Sequence, residues 1–260
     1  MKLLILILLF SSCSSVELKE WSFKKNKDVA LEGYNEFDEI DYLDHLISFE
    51  QIYKNDYKKK ILRLKRKTYK YLSSILRNIA THNELFFTED LKSSFTIIES
   101  EIPFSFSLPK RKFFLSSALI SKYIKNEAML YSVLVYEFIR SEKNLYHKTK
   151  IIPTGTMSTN RMLSLLRLRS KDKAEIHKWA YYLLKRTGID SGTYLSWLQV
   201  QNRNSLDFAI QIGDSQSISR EEAVFKAFLI ENEKENKDRN RNRHQGSSRN
   251  FYAFLNDVRR

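Results

Sequence analysis

Cysteine, proline and glycine are all scarce in this chain of 260 residues, which holds one Cys, three Pro and six Gly. A single Cys excludes a disulfide within one chain and any zinc ribbon, since both need at least two thiols. With so few Gly and Pro the turn signals are sparse, which favours a mainly helical α+β architecture. No Gly-rich phosphate loop occurs, and no Ser-His-Asp constellation stands in supporting motifs. Acids are in deficit: 31 Asp and Glu face 44 Lys and Arg, giving a formal net charge of +13 and a pI near 9.6. The 42% hydrophobic content still suffices for a proper core, so the composition fits one modest globular domain with appendages.

So basic a chain would suggest nucleic acid if it were cytosolic. Its first residues point elsewhere. Met1-Lys2 precedes an apolar run from Leu3 to Phe10, too short to span a bilayer and suited to an export signal. The end of that run, Phe10-Ser11-Ser12-Cys13, resembles a bacterial lipobox, although Phe10 departs from the usual Leu. Acylation of Cys13 would make Ser14 to about Glu36, polar and aperiodic, a tether between membrane and folded body. The other reading is an incidental Cys in a plain cleaved signal. Ser14 lacks the acidic character that goes with inner-membrane retention, so the expected place is the exported envelope, on the outer-membrane leaflet facing the periplasm. There, no nucleic acid is available as a partner, and anionic lipid or wall polymer is.

Positive charge concentrates at Lys58-Lys59-Lys60, Arg63, Lys65-Arg66-Lys67 and Lys70, where Leu62, Tyr69, Leu72, Leu76 and Ile79 recur at helical spacing. That pattern predicts a basic amphipathic helix, with either a solvated outer face or one turned toward an anionic membrane. Glu231 to Asn250 alternates acids, Arg and Asn with almost no apolar residue and reads as a disordered link. Phe251 to Val258 is apolar enough to dock back as a short helix.

Helices are predicted near 53–81, 118–124, 127–146, 158–186 with a possible break, 191–203 and 220–235, the last opened by a Ser219/Glu222 capping box. Gly188 after Lys185-Arg186 should end its helix. Strands are expected at Phe95 to Ile98, Phe104 to Leu108 and Lys112 to Ser116, as a small antiparallel sheet.

One helix, Val133-Leu134-Val135-Tyr136-Glu137-Phe138-Ile139-Arg140, carries the most informative pattern. Before it run Ile102-Pro103-Phe104-Ser105-Phe106-Ser107-Leu108-Pro109, Lys112 to Ile120, and Asn126-Glu127-Ala128-Met129-Leu130; after it, Asp172 to Asp190 ends in Leu183-Leu184-Lys185-Arg186-Thr187-Gly188. Over roughly residues 95 to 200 this order resembles the HtpX-like and CAAX-prenyl-endopeptidase-like zinc metallopeptidases, gluzincins of the forty-eighth metallopeptidase family. Their pattern is a Leu-Pro-Gly-Gly hairpin, an Asn-Glu-x-Glu-Leu helix start, Val-Leu-x-His-Glu-x-x-His, and a second helix bearing a Glu ligand.

The resemblance implies a gluzincin-like fold whose edge strand, Phe104, Phe106, Leu108 and Pro109 here, pairs with a substrate peptide. It also implies that the chemistry is lost. Tyr136 and Arg140 stand at the two His positions and Lys173 at the Glu position, with only Glu137 kept. A guanidinium has no lone pair to give and an ammonium must first lose a proton, so the site carries two cations where Zn²⁺ should sit. Glu137, Arg140, Glu175 and His177 are candidates for an ion-paired pseudo-site, and Lys110-Arg111 replace the Gly-Gly turn. His147 or His177 with Glu137 or Glu175 is the alternative of a relocated metal site; His45, His82 and His244 read as surface or helix-end residues.

The expected organisation is a lipoprotein signal at 1–12, a tether and extension at 13–50, a metallopeptidase-like domain at 51–205 and a C-terminal region at 206–260. The expected function is a tethered, non-catalytic protein without cofactor that binds envelope proteins, unfolded polypeptide or a related peptidase. Two alternatives stay open: an active zinc metalloendopeptidase with atypical ligands, and a basic envelope-binding module.

Overall fold

A computed structural model describes residues 29–30, 39–85, 92–146, 151–152, 154–234 and 246–259. The signal, Cys13, His147, His244 and most of the tether lie outside the described residues. Among those described, no helix is long and apolar enough to cross a membrane.

The architecture is α+β and mainly helical. A three-stranded sheet sits between helices, with β2 (Ser94–Ile98), β3 (Ser105–Leu108) and β4 (Lys112–Ser116) in the order β2-β4-β3. It is mixed rather than antiparallel: β3 and β4 form a hairpin, whereas β2 runs parallel to β4. The parallel pair arises because the chain turns back at 99–104, inserts β3 as the outer strand, and returns as β4 in the middle. A second, two-stranded pairing joins β1 (Val29–Ala30) to β5 (Ile151–Ile152), so a piece of the expected tether is bonded to the body.

Alternation along the strands divides the core in two. Phe104, Phe106, Leu108 and Phe114 pack with Tyr42, Leu46, Phe49 and Tyr53 of α1 (Glu39–Asp56). On the opposite face Phe95, Ile97, Phe113 and Leu115 meet α2 (Arg66–His82) and α3 (Glu127–Glu142). The boundary expected at 50/51 therefore falls inside a helix that builds one of the cores. In place of one helix over 53–81 there are two, α1 and α2, separated by a 3₁₀ turn at Lys58–Lys60 and an extended stretch. A continuous helix would set Lys58-60, Arg63 and Lys65-67 one turn apart with no acid between them. The edge of β2 offers a competing set of backbone bonds instead: Leu62 N donates to Ile97 O at 2.9 Å and Glu99 N to Lys60 O at 2.7 Å.

Beyond α3 lie α4 (Thr159–Leu165), α5 (Ser170–Thr187), α6 (Gly192–Arg203), α7 (Ala209–Ile212) and α8 (Ser215–Lys234). The expected 158–186 helix is broken at 166–169, and Gly188 ends α5 in the left-handed conformation, φ +78°. Helix α8 starts earlier than the Ser219/Glu222 box, because Asp214 Oδ1 already accepts from Gln216 N at 3.0 Å. That helix also absorbs Glu231 to Lys234 of the expected link. Arg249–Val258 forms α9, burying Phe251, Phe254, Leu255 and Val258. Its Asp257 accepts from Lys65 N (2.8 Å) and Thr68 Oγ1 (2.7 Å), capping α2 from another element.

At the β3–β4 turn, Lys110 (φ +60°) and Arg111 (φ +57°) both adopt the left-handed conformation. Side chains disfavour it by roughly 1–2 kcal/mol per residue. The turn is held from α3: Arg111 N donates to Ser141 Oγ at 2.9 Å and its guanidinium pairs with Glu142 at 2.7 Å. Among the described residues Lys110 has an exposed pair with Asp44 to lose. Lys110→Gly is therefore expected to raise stability by about 0.5–1 kcal/mol after the entropic cost of Gly, measured by urea denaturation.

Candidate functional site

Asn126 starts α3 by accepting from Met129 N at 2.8 Å, and the helix then carries Tyr136, Glu137 and Arg140 beneath the sheet. Strand β3 crosses above it. Phe104 O accepts from Ser116 N, so the backbone groups of 104, 106 and 108 face β4 while those of Ser105 and Ser107 face the outer edge. The side chains of the same two serines turn toward α3. Ser105 Oγ donates to Glu137 Oε1 at 3.0 Å, and Ser107 Oγ lies 2.9 Å from Glu137 Oε2.

Glu137 is fully buried, and Arg140 Nη1 stands 3.7 Å from its Oε2. Arg140 is also buried, donates through Nη2 to Leu166 O, and lies over the Tyr146 ring at 5.3 Å. Burial raises the Glu137 carboxyl above its ordinary range, and Arg140 and the two serine hydroxyls oppose this without cancelling it.

A second pair joins α5 to α8. Lys173 Nζ is 2.9 Å from Glu221 Oε1, which also accepts from Ser217 Oγ at 2.8 Å. Glu221 Oε2 meets His177 Nε2 at 3.3 Å, and His177 Nδ1 meets Tyr194 Oη at 2.7 Å. Burial pushes the Glu221 carboxyl up, but the hydrogen bond from His177 and the charge and hydrogen bond of Lys173 outweigh it and hold the group at about 2. Tyr136 lies between the two pairs, its ring 5.8 Å from that of His177, and burial pushes its phenol well above the ordinary range.

Tyr136 and the Lys173–Glu221–His177 group line a small pocket, partly open to solvent, with Ser105, Gln201 and Gln211 also in its wall. Gln211, from α7, reaches the outer edge of β3: its Oε1 accepts from Ser105 N at 3.0 Å and its Nε2 donates to Ser105 Oγ at 3.3 Å. A side-chain amide thus occupies the hydrogen-bonding position that a peptide group of an added strand would take.

Of the sequence-derived candidates, Tyr136, Lys173 and His177 line one pocket, while Glu137 and Arg140 pair with each other on the same helix as Tyr136. Glu175 is in neither group: it is exposed and pairs with Lys143 at 3.1 Å. Residues 173 and 177 share a helix face at i, i+4, whereas 175 is turned about half a revolution away. Phe104, Phe106 and Leu108 are likewise misplaced as peptide contacts, since their side chains are in the α1 core and their backbone groups serve β4; Pro109 is buried in the turn. Ser105 and Ser107 hold the outward positions. Glu221, Tyr194 and Gln211 were not anticipated, although Glu221 stands three residues after Ile218 and four before Phe225, an acid on an otherwise apolar stripe. His45 stacks edge-on to Phe49 at 4.9 Å, and His82 is exposed at the end of α2.

The donor set does not suit zinc. Arg140 and Lys173 are cations already held by Glu137 and Glu221, Tyr136 is a neutral phenol, and both ring nitrogens of His177 are engaged. Among the described residues no three His, Cys, Asp or Glu side chains converge. The sequence matches no protein-family profile, and no curated protein aligns with it to a significant degree.

Proposed function

We propose that this chain is a lipid-anchored envelope protein whose gluzincin-like domain binds extended polypeptide without cleaving it. One observation carries the reading. Beside a strand edge whose outward Ser105 N–H is met, among the described residues, by a side-chain amide, the positions that would ligate metal hold two cations paired with carboxylates and a phenol, yet the pocket beside that edge stays open. Two further features support it: β3 lies over the helix bearing Glu137, and the turn that the resembled family fills with Gly-Gly is left-handed at both residues.

In this reading a peptide displaces Gln211, adds to β3 through the backbone of Ser105 and Ser107, and seats a side chain in the pocket. Glu137 is structural, satisfying Ser105, Ser107 and Arg140. The test is hydrogen exchange on the protein with an alkylated, unfolded polypeptide as probe. Protection should centre on Ser105 to Ser107, and Gln211→Ala should tighten binding several-fold, with the probe left intact and unaffected by chelators. Stoichiometric zinc together with chelator-sensitive cleavage would assign the chain instead to the active peptidases with atypical ligands.

A further inference from the structure

The residues between Lys58 and Asn83 include nine Lys or Arg and no Asp or Glu, against a net charge of +13 for the whole chain. All nine are exposed: Lys58, Lys59 and Lys60 on the 3₁₀ turn, Arg63 and Lys65 on the extended stretch, and Arg66, Lys67, Lys70 and Arg77 on α2. Folding leaves them together, because α2 directs Tyr71, Leu72, Ile75, Leu76 and Ile79 into the core and Arg66, Lys70 and Arg77 fall on one outer stripe. Nor do the other described residues neutralise them. Among the described residues only Lys65 has a carboxylate within 4 Å, and that group, Asp257, is committed to capping α2.

We infer that this face is a docking surface for an anionic phospholipid bilayer, orienting the domain on the membrane that tethers it. Six of the nine cations are Lys, compact point charges on flexible stems that suit a diffuse anionic surface, whereas nucleic-acid readout favours the planar fork of Arg. Tyr69, 37% exposed among them, has the amphipathic ring that settles at the headgroup level. The choice of lipid over nucleic acid also rests on the export reading, but not on peptide binding by the β3 edge, and the two are tested separately.

The experiment is co-sedimentation of the full chain with vesicles of phosphatidylcholine, alone or with roughly one-third phosphatidylglycerol. The N-terminal run with Lys2 and the other basic segments are common to every variant, so the change in the ratio of the two affinities between variants reads the cationic face. That ratio should collapse toward one at high salt. Joint neutralisation by Lys59→Gln, Arg66→Gln, Lys67→Gln and Lys70→Gln should lower it on the order of a thousandfold, while the charge-preserving Lys59→Arg, Arg66→Lys, Lys67→Arg and Lys70→Arg set keeps it. A ratio near one in the unsubstituted chain, a ratio indifferent to salt, or a folded neutralised variant that keeps it would overturn the inference. So would tighter binding to an oligonucleotide duplex than to the anionic vesicles at the same ionic strength, which would move the face to nucleic acid.

Discussion

Glu221→Gln is expected to destabilise the fold by about 3–5 kcal/mol at neutral pH, the cost of leaving one buried charge of a pair without its partner. Lys173 is the charge left behind, its side chain only 12% exposed. The amide of Gln can still meet His177 and Ser217, so the loss isolates charge rather than shape. Lys173→Met should cost a similar amount by stranding Glu221, and the double variant should recover much of both losses, a coupling visible in a double-mutant cycle by urea denaturation. Additive losses would mean that the two groups are separately solvated and do not act as a pair.

The same residue sets a pH signature. Its folded carboxyl titrates near 2, below the ordinary 4.5, so the stability it supplies is complete above 4.5 and is lost as pH falls from there toward 2. Glu137 has the opposite sign: its raised carboxyl supplies stability at pH below the ordinary value that is lost as pH rises through the folded value. Acid titration of the melting temperature should therefore flatten between 4.5 and 2 in Glu221→Gln, whereas Glu137→Gln should leave that acid loss in place. If Glu221→Gln showed the full loss, the acid transition would belong to other carboxylates.

How much of this was legible beforehand follows from the range of the interactions. The strand segments, the α3 start at Asn126 and the Gly188 stop are local, set by alternation, a side-chain cap and a left-handed residue, and each lies close to where the sequence predicts it. The parallel placement of β2 is not local; it depends on β4 entering between two earlier strands, which alternation does not encode. Helix period alone could have excluded Glu175, since 173 and 177 share a face that 175 leaves. Glu221 needed something further. Its misfit on an apolar stripe marks it as a buried acid, but its partner Lys173 is 48 residues away and meets it only through tertiary packing.

Tyr136→His, Arg140→His and Lys173→Glu together are expected to convert the site from one that repels a dication to one that depends on it. Without metal the triple variant should be destabilised by several kcal/mol, because Glu137 loses Arg140 and the new carboxylate stands beside Glu221 where Lys173 made its 2.9 Å pair. Two imidazoles at i, i+4 and a carboxylate from α5 would then form a zinc donor set, and the acids that lost their cations would favour the metal's charge. Free zinc at a hundredfold its dissociation constant should restore about 2.7 kcal/mol. Thermal melting with and without zinc reads this directly: the triple variant should gain melting temperature and one equivalent of metal, and the unsubstituted chain neither. A folded triple variant indifferent to zinc would show that residues 136, 140 and 173 do not surround one point. The likeness to a peptidase centre would then be a likeness of sequence order alone, and the open pocket would need an explanation that owes nothing to lost catalysis.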